Sequence, residues 1–210
     1  MNSTLKTVLV LSVIALFAGL ALGVVYFFTK SESSLPDAAA LNALAPADGY
    51  VQLTAEGATQ LEFGTLKSVC VPVDGNGKAV SDSFIFLADG NGGFSGTISM
   101  LVLITDGKIA NVVCYENGET PGLGTNALTD TYLSRYIGID ITNDVVLKGL
   151  AKDYWSKPEK ESGHENDAIQ IDGYTGATRS STAVVNSIST IHSYYVSNAE
   201  SLLLQLNKLK

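Results

Sequence analysis

Thr97-Ile98-Ser99-Met100-Leu101-Val102-Leu103-Ile104-Thr105-Asp106-Gly107-Lys108-Ile109-Ala110-Asn111-Val112-Val113-Cys114-Tyr115 is the stretch on which the fold turns. Two β-rich runs, 97–105 and 108–115, meet at Asp106-Gly107, a two-residue loop of the type I′ kind. The first run is almost continuously apolar, which predicts a strand covered on both faces. Upstream, 66–73 reads as a strand ending in the turn Asp74-Gly75-Asn76-Gly77, and 83–88 as another. A glycine-dense loop, Asp89 to Gly93, follows it. Downstream, 129–137 predicts a short helix with Leu133 and Ile137 on one face, and 144–147 a strand. After the short apolar run 168–171, Val184, Ile188, Ile191 and Tyr195 recur at spacings of 4, 3 and 4, one face of a helix. A closing segment, 198–206, has Asn198 as its cap and Leu202, Leu203, Leu204 and Leu206 for docking. Hairpins first and helices later predict an α+β domain, a twisted, largely antiparallel sheet with flanking helices.

The chain has 210 residues, room for one domain with a sizeable core and further elements. One segment lifts its mean hydropathy to +0.21. Residues 8–28 are 21 in a row without a charge. At ~1.5 Å per residue they reach roughly 30 Å, the thickness of a bilayer core. Tyr26, Phe27 and Phe28 close the run where interfacial aromatics belong. A cleaved signal peptide is the alternative, but its apolar region runs only about 7–15 residues and ends in small residues. Residues 1–30 are therefore expected to be a cytoplasmic N-terminus and single-pass membrane anchor. Residues 31–49 read as a linker holding one Ala/Leu-rich piece, and 50–210 as the domain. From residue 31 onward 21 acids face 11 bases, a net −10, and such a domain is expected outside the cytoplasm.

The same composition excludes several chemistries. No basic tract is present for nucleic acid. Gly90-Asn91-Gly92-Gly93 opens a strand rather than a helix, so the dinucleotide-binding geometry is missing. His164, with Glu161, Glu165 and Asp167, sits in a charged surface insertion, 156–167, without metal-ligand spacing. His192 lies beside an apolar helix face, where packing explains it. With two histidines and no nucleophile–base pair, a hydrolase is not indicated, and no catalytic residue is assigned. Cys70 and Cys114 fall on strands, either buried singly or paired.

Two loops carry the remaining signal. Glu119-Thr120-Pro121-Gly122-Leu123-Gly124 follows the second hairpin strand; Pro121-Gly122 favours a tight turn and Gly124 permits a close backbone approach. Asp172-Gly173-Tyr174-Thr175-Gly176-Ala177-Thr178-Arg179 lies between the 168–171 run and the long helix. Thr178 there is either a helix cap or an alcohol presented at a helix N-terminus, where an anion is favoured.

Both loops, in this order, resemble bacterial FMN-binding domains. Asp172 followed by Thr175-Gly176-Ala177-Thr178 looks like their flavinylation motif, and Glu119 to Gly124 looks like the loop that lines their flavin pocket. Gly92-Gly93 is similar to the family's glycine pair. The resemblance implies covalent FMN on Thr178 through a phosphodiester, installed by a flavin transferase that uses FAD. It implies pocket roles for Glu119, Thr120, Gly122, Leu123 and Gly124. Arg179, directly after the acceptor, is either a phosphate partner or a helix-surface charge, and Phe94 is expected as a ring neighbour. Among such domains the chain resembles G subunits of Rnf-type, ion-translocating ferredoxin:NAD oxidoreductases, with C subunits of Na⁺-pumping NADH:quinone reductases as the alternative. The implied role is an electron carrier beside other membrane subunits, with no independent catalysis. If the motif is only a cap, a membrane-anchored binding or scaffold protein remains.

Overall fold

The structure, a computed structural model, describes residues 8, 11–13, 15–20, 35–54, 58–148 and 168–210. The chain divides into two units, Met1–Ser33 and Ser34–Lys210. The described residues of the first are helical. Among the described residues no helix is long and apolar enough to cross a membrane, and the rest of the anchor expected over 8–28 lies outside them. The 156–167 insertion with His164 lies outside them too.

The second unit is built on an antiparallel sheet ordered β1 (Gly49–Gln52), β3 (Gly64–Val73), β4 (Ser83–Gly90), β5 (Ile98–Thr105) and β6 (Lys108–Glu116). A short β2 (Thr59–Gln60) pairs with β3 off this path. The β5–β6 hairpin turns at Asp106 and Gly107, whose φ values of 52° and 75° are both positive, as a type I′ loop demands. A separate parallel pair joins β7 (Val145–Lys148) to β8 (Ile169–Asp172).

Both faces of the central strands are buried, by two different helices. α1 (Ala38–Leu44), capped by Asp37 through the Ala40 N–H, sets Leu41 and Leu44 against Cys70, Ile85, Leu87 and Leu101. The opposite face, with Val69, Phe86, Met100 and Val102, receives α3 (Thr178–Lys208) through Val184, Ile188, Ile191 and Tyr195. This double cover is why β5 is apolar at successive positions rather than alternate ones. α2 (Asp130–Leu133) and its 3₁₀ continuation Ser134–Tyr136 add Tyr132, Leu133 and Tyr136 to that main core.

Several local expectations are corrected. The strand read as ending at Ala88 runs on through Asp89 and Gly90. A Cβ on Gly90 would lie 1.8 Å from the Ala183 carbonyl oxygen, so glycine here lets α3 pack directly on the strand. Tightening from α to 3₁₀ rotates the 129–137 segment: Tyr136 is buried, while Ile137, expected beside Leu133, is 49% exposed. Asn198 caps nothing. It lies inside the 31-residue α3 with its Nδ2 donating to the Tyr194 carbonyl. Leu202 and Leu206 dock one turn apart, whereas Leu203 and Leu204 face solvent.

Candidate functional site

Two tight turns of the same kind frame the site. Leu123 N–H donates to the Thr120 carbonyl at 3.1 Å, and Gly122 has φ +74°. Ala177 N–H donates to the Tyr174 carbonyl at 2.9 Å, and Gly176 has φ +84°. A glycine of positive φ at the third position marks type II turns, with Pro121 supplying the fixed φ of the second position in the first. Ser181 stitches the second turn to its helix. Its Oγ accepts from Tyr174 N–H at 2.9 Å and donates to the Ala177 carbonyl at 3.0 Å.

That geometry decides what Thr178 does locally. The N-cap position of α3 is taken by the buried Ala177, and no side chain caps the helix. Thr178 is its first helical residue and is exposed. The capping alternative therefore fails. Thr178 thus stands at the positive end of the α3 dipole, where an anion is favoured.

The two turns share a cavity of about 330 Å³, near the lower end of the ~300–1,000 Å³ usual for ligand sites. Its lining comes from Glu119, Thr120, Leu123 and Gly124 of the first loop and from Gly176, Ala177, Thr178, Arg179 and Ser180 of the second, together with Phe94. Phe94 and Leu123 are 69% and 62% exposed, two large apolar groups left for a ligand to cover. The Arg179 guanidinium lies 5.7 Å from the centre of the Phe94 ring, and its Nε donates to the Gly92 carbonyl at 3.5 Å.

Three residues singled out from the sequence are not in the wall. Gly122 only shapes its turn. Thr175 stands exposed beside Gly176 in the second turn. Asp172 ends β8 with its side chain exposed and 3.9 Å from Lys148 Nζ, while Arg135 Nη1 donates to its carbonyl at 3.0 Å. Arg135 also lies 5.0 Å over the Tyr132 ring, which meets Tyr174 and Tyr136 edge-on. Burial pushes the Tyr136 phenol well above its ordinary range, so that end of the cluster stays neutral.

Glu119 is the pin of the site. It is 5% exposed, and both carboxylate oxygens accept hydrogen bonds. Ser95 N–H donates to Oε1 at 3.0 Å and Ser180 Oγ to Oε2 at 2.7 Å. The room it occupies exists because two neighbours have no side chain. A Cβ on Gly93 would lie 2.8 Å from Oε1, and one on Gly124 would lie 2.2 Å from Oε2. The close approach that Gly124 permits is thus made by the Glu119 and Ser180 side chains. Ser95 and Ser180 escaped the sequence reading. The available signal was the need of a buried carboxylate for donors, and the first turn of α3 offers Ser180 and Ser181.

The cysteines are not bridged. Cys70 packs with the α1 face of the sheet and Cys114 against the opposite core, so the sheet itself separates them. His192 is half-buried, with Nδ1 at 2.8 Å from the Ile141 carbonyl, a packing role.

Comparison with known proteins bears on this cavity. Residues 93–192 match the FMN-binding domain family, a span that holds both turns, Phe94 and the N-terminal part of α3. The chain is 30% identical over 107 residues to the C subunit of the Na(+)-translocating NADH-quinone reductase of Yersinia pestis, covering 48% of this chain and 36% of that protein. It is 29% identical over 119 residues to the G subunit of the ion-translocating oxidoreductase complex of Pseudoalteromonas atlantica, covering 56% and 50% respectively. The chain thus spans half or less of the curated relatives it matches. Among solved structures, NqrC of Shewanella oneidensis aligns with a TM-score of 0.46 at 22% identity, over 75% of this chain and 72% of that one.

Proposed function

We propose that this chain, whose residues 93–192 match the FMN-binding domain, is an electron-carrying subunit of a membrane-bound, ion-translocating ferredoxin:NAD oxidoreductase, with FMN held covalently on Thr178. One observation carries the reading: the cavity between the Thr120–Leu123 and Tyr174–Ala177 turns lies inside the matched span and has an exposed threonine hydroxyl in its wall.

The residues present suit this cofactor. A phosphate linked at Thr178 sits at an uncapped helix N-terminus, where N–H groups and the dipole stabilise it. Arg179, next in sequence, adds a guanidinium able to pair with phosphate. Phe94 and Leu123 supply apolar surface at the cavity. FMN, when bound, supplies the reversible electron uptake, while the protein sets its position, solvent access and local charge. Attachment joins the Thr178 oxygen to the FMN phosphorus of FAD, breaks the pyrophosphate bond and releases AMP. A flavin transferase takes up the hydroxyl proton, since the Glu119 carboxylate in the cavity wall is already engaged by Ser95 and Ser180. Gly176 and Thr178 are both exposed, and nothing lies within 4 Å of a Cβ on Gly176, so that enzyme has an open approach.

The chain is assigned to the cell membrane with its N-terminus cytoplasmic and its domain outside, beside the other membrane subunits of the complex. A tether is the useful device there, because an unattached flavin would diffuse away. A C-type subunit of a Na⁺-pumping NADH:quinone reductase is the second reading, favoured by the 30% identity to the Yersinia pestis protein. The longer alignment with the Pseudoalteromonas atlantica protein supports the first. Purification of the full chain from its native membrane tests both: flavin fluorescence on its denatured gel band is expected. The subunits that co-purify then separate the two complexes, and a band without flavin contradicts both readings.

A further inference from the structure

The wall of the cavity holds two opposite charges in unequal surroundings. Glu119 is 5% exposed and bonded only to neutral donors, the Ser95 N–H and the Ser180 hydroxyl. Among the described residues no cation is within ion-pair distance of it. Arg179 is half-buried and turned toward the Gly92 carbonyl and the Phe94 ring. Water and salt screen an exposed charge far more than a buried one. Of the two charges, the carboxylate is therefore the less screened.

We infer that Glu119, resting on the FMN reading above, is a positioning residue that also sets the flavin's reduction potential low. Electrons added to a bound flavin place negative charge near a fixed, poorly screened carboxylate, so the reduced form is disfavoured relative to the oxidised one. The two serines keep that charge in place and offset it only in part. This differs from a purely structural pin, which any side chain of equal shape and hydrogen bonding can replace.

Glu119→Gln separates the two roles. Its amide oxygen still accepts from Ser95 N–H and its NH₂ can donate to Ser180 Oγ, whereas the charge is gone. The experiment is a spectroelectrochemical titration of the full chain, loaded with FMN by co-expression with a flavin transferase. The midpoint potential is read per loaded flavin, so partial loading does not affect it. Glu119→Gln is expected to shift the potential upward, and by more than Arg179→Gln shifts it downward. Ser180→Ala keeps the carboxylate, removes a donor that offsets it, and is expected to shift the potential downward. An unchanged or lower potential in Glu119→Gln overturns the inference. If that variant takes up no flavin, an unchanged or higher potential in Ser180→Ala overturns it. A wild-type chain that carries no flavin overturns the FMN reading itself and this inference with it.

Discussion

Ser180 donates its hydroxyl proton to Glu119 Oε2 at 2.7 Å, joining two positions 61 residues apart inside one buried site. Through that bond the first turn of α3 and the loop leaving β6 become a single structural unit. Ser95 N–H, bonded to the other oxygen, brings in the segment that carries Phe94.

Removing that hydroxyl is therefore costly even before any ligand is considered. Ser180→Ala is expected to lower unfolding free energy by about 1.5–3 kcal/mol, the range for hydrogen bonds to charged groups. Glu119→Ala strands both donors and is expected to cost more, while Glu119→Gln costs less than either. Urea denaturation of the three variants in parallel checks the order. A Ser180→Ala protein as stable as wild type contradicts the pin.

The glycines sort by reason. Gly90→Ala forces a Cβ to within 1.8 Å of one backbone atom and 2.5 Å of another, neither of which can yield without moving α3. It is expected to meet or exceed the ~1–3 kcal/mol of core overpacking. Gly122→Ala and Gly176→Ala meet nothing within 4 Å and suffer only their positive φ, about 1–2 kcal/mol. Thermal melts that rank Gly90→Ala as the mildest of the three contradict the packing of α3 on β4.

The thiols are expected to differ sharply. Burial pushes the Cys70 thiol up to about 12, and it raises that of the half-buried Cys114 as well. Under non-reducing conditions at pH 8, alkylation of the folded chain should label Cys114 first and Cys70 only after denaturant is added. Peptide mass mapping reads this directly. A Cys70–Cys114 disulfide peptide contradicts the separation of the two residues by the sheet.

Asp140 gives a pH dependence of defined sign. Hydrogen bonds from the Thr142 side chain and backbone hold its carboxyl below the ordinary aspartate range, with a smaller contribution from Lys108. A folded value lower than the unfolded one means that its contribution is complete above the unfolded value, near ~3.9. That contribution is lost as pH falls through the folded value. Asp140→Asn should flatten this acid limb of stability and leave the slope near neutrality unchanged. Unfolding midpoints measured from pH 7 down to pH 2 compare the two.

What the sequence disclosed, and what it hid, follows from how local each cause is. The β5–β6 hairpin was legible because Asp106-Gly107 states its turn in two residues, and Gly122 and Gly176 mark their turns in the same way. The helix face from Val184 to Tyr195 was legible from its period. The unbroken run of α3 past Asn198 was not, because a mid-helix asparagine bonded to Tyr194 looks the same in sequence as a cap. The edge strands β1 and β2 and the parallel pairing of β7 with β8 depend on partners distant in sequence, with no local code. Within the site, the turns were readable and the pin was not. Glu119 meets Ser95 and Ser180 only after the chain has folded.

The central claim is a covalent bond to one oxygen, and intact-mass measurement tests it most directly. The full chain and two variants, Thr178→Ala and Thr175→Ala, are each co-expressed with a flavin transferase and weighed. Neither threonine caps α3, so both variants should accumulate as folded protein. An FMN adduct is expected on the wild type, at least in part on Thr175→Ala, and not at all on Thr178→Ala. An undiminished adduct on Thr178→Ala places the linkage on another residue and contradicts the assignment.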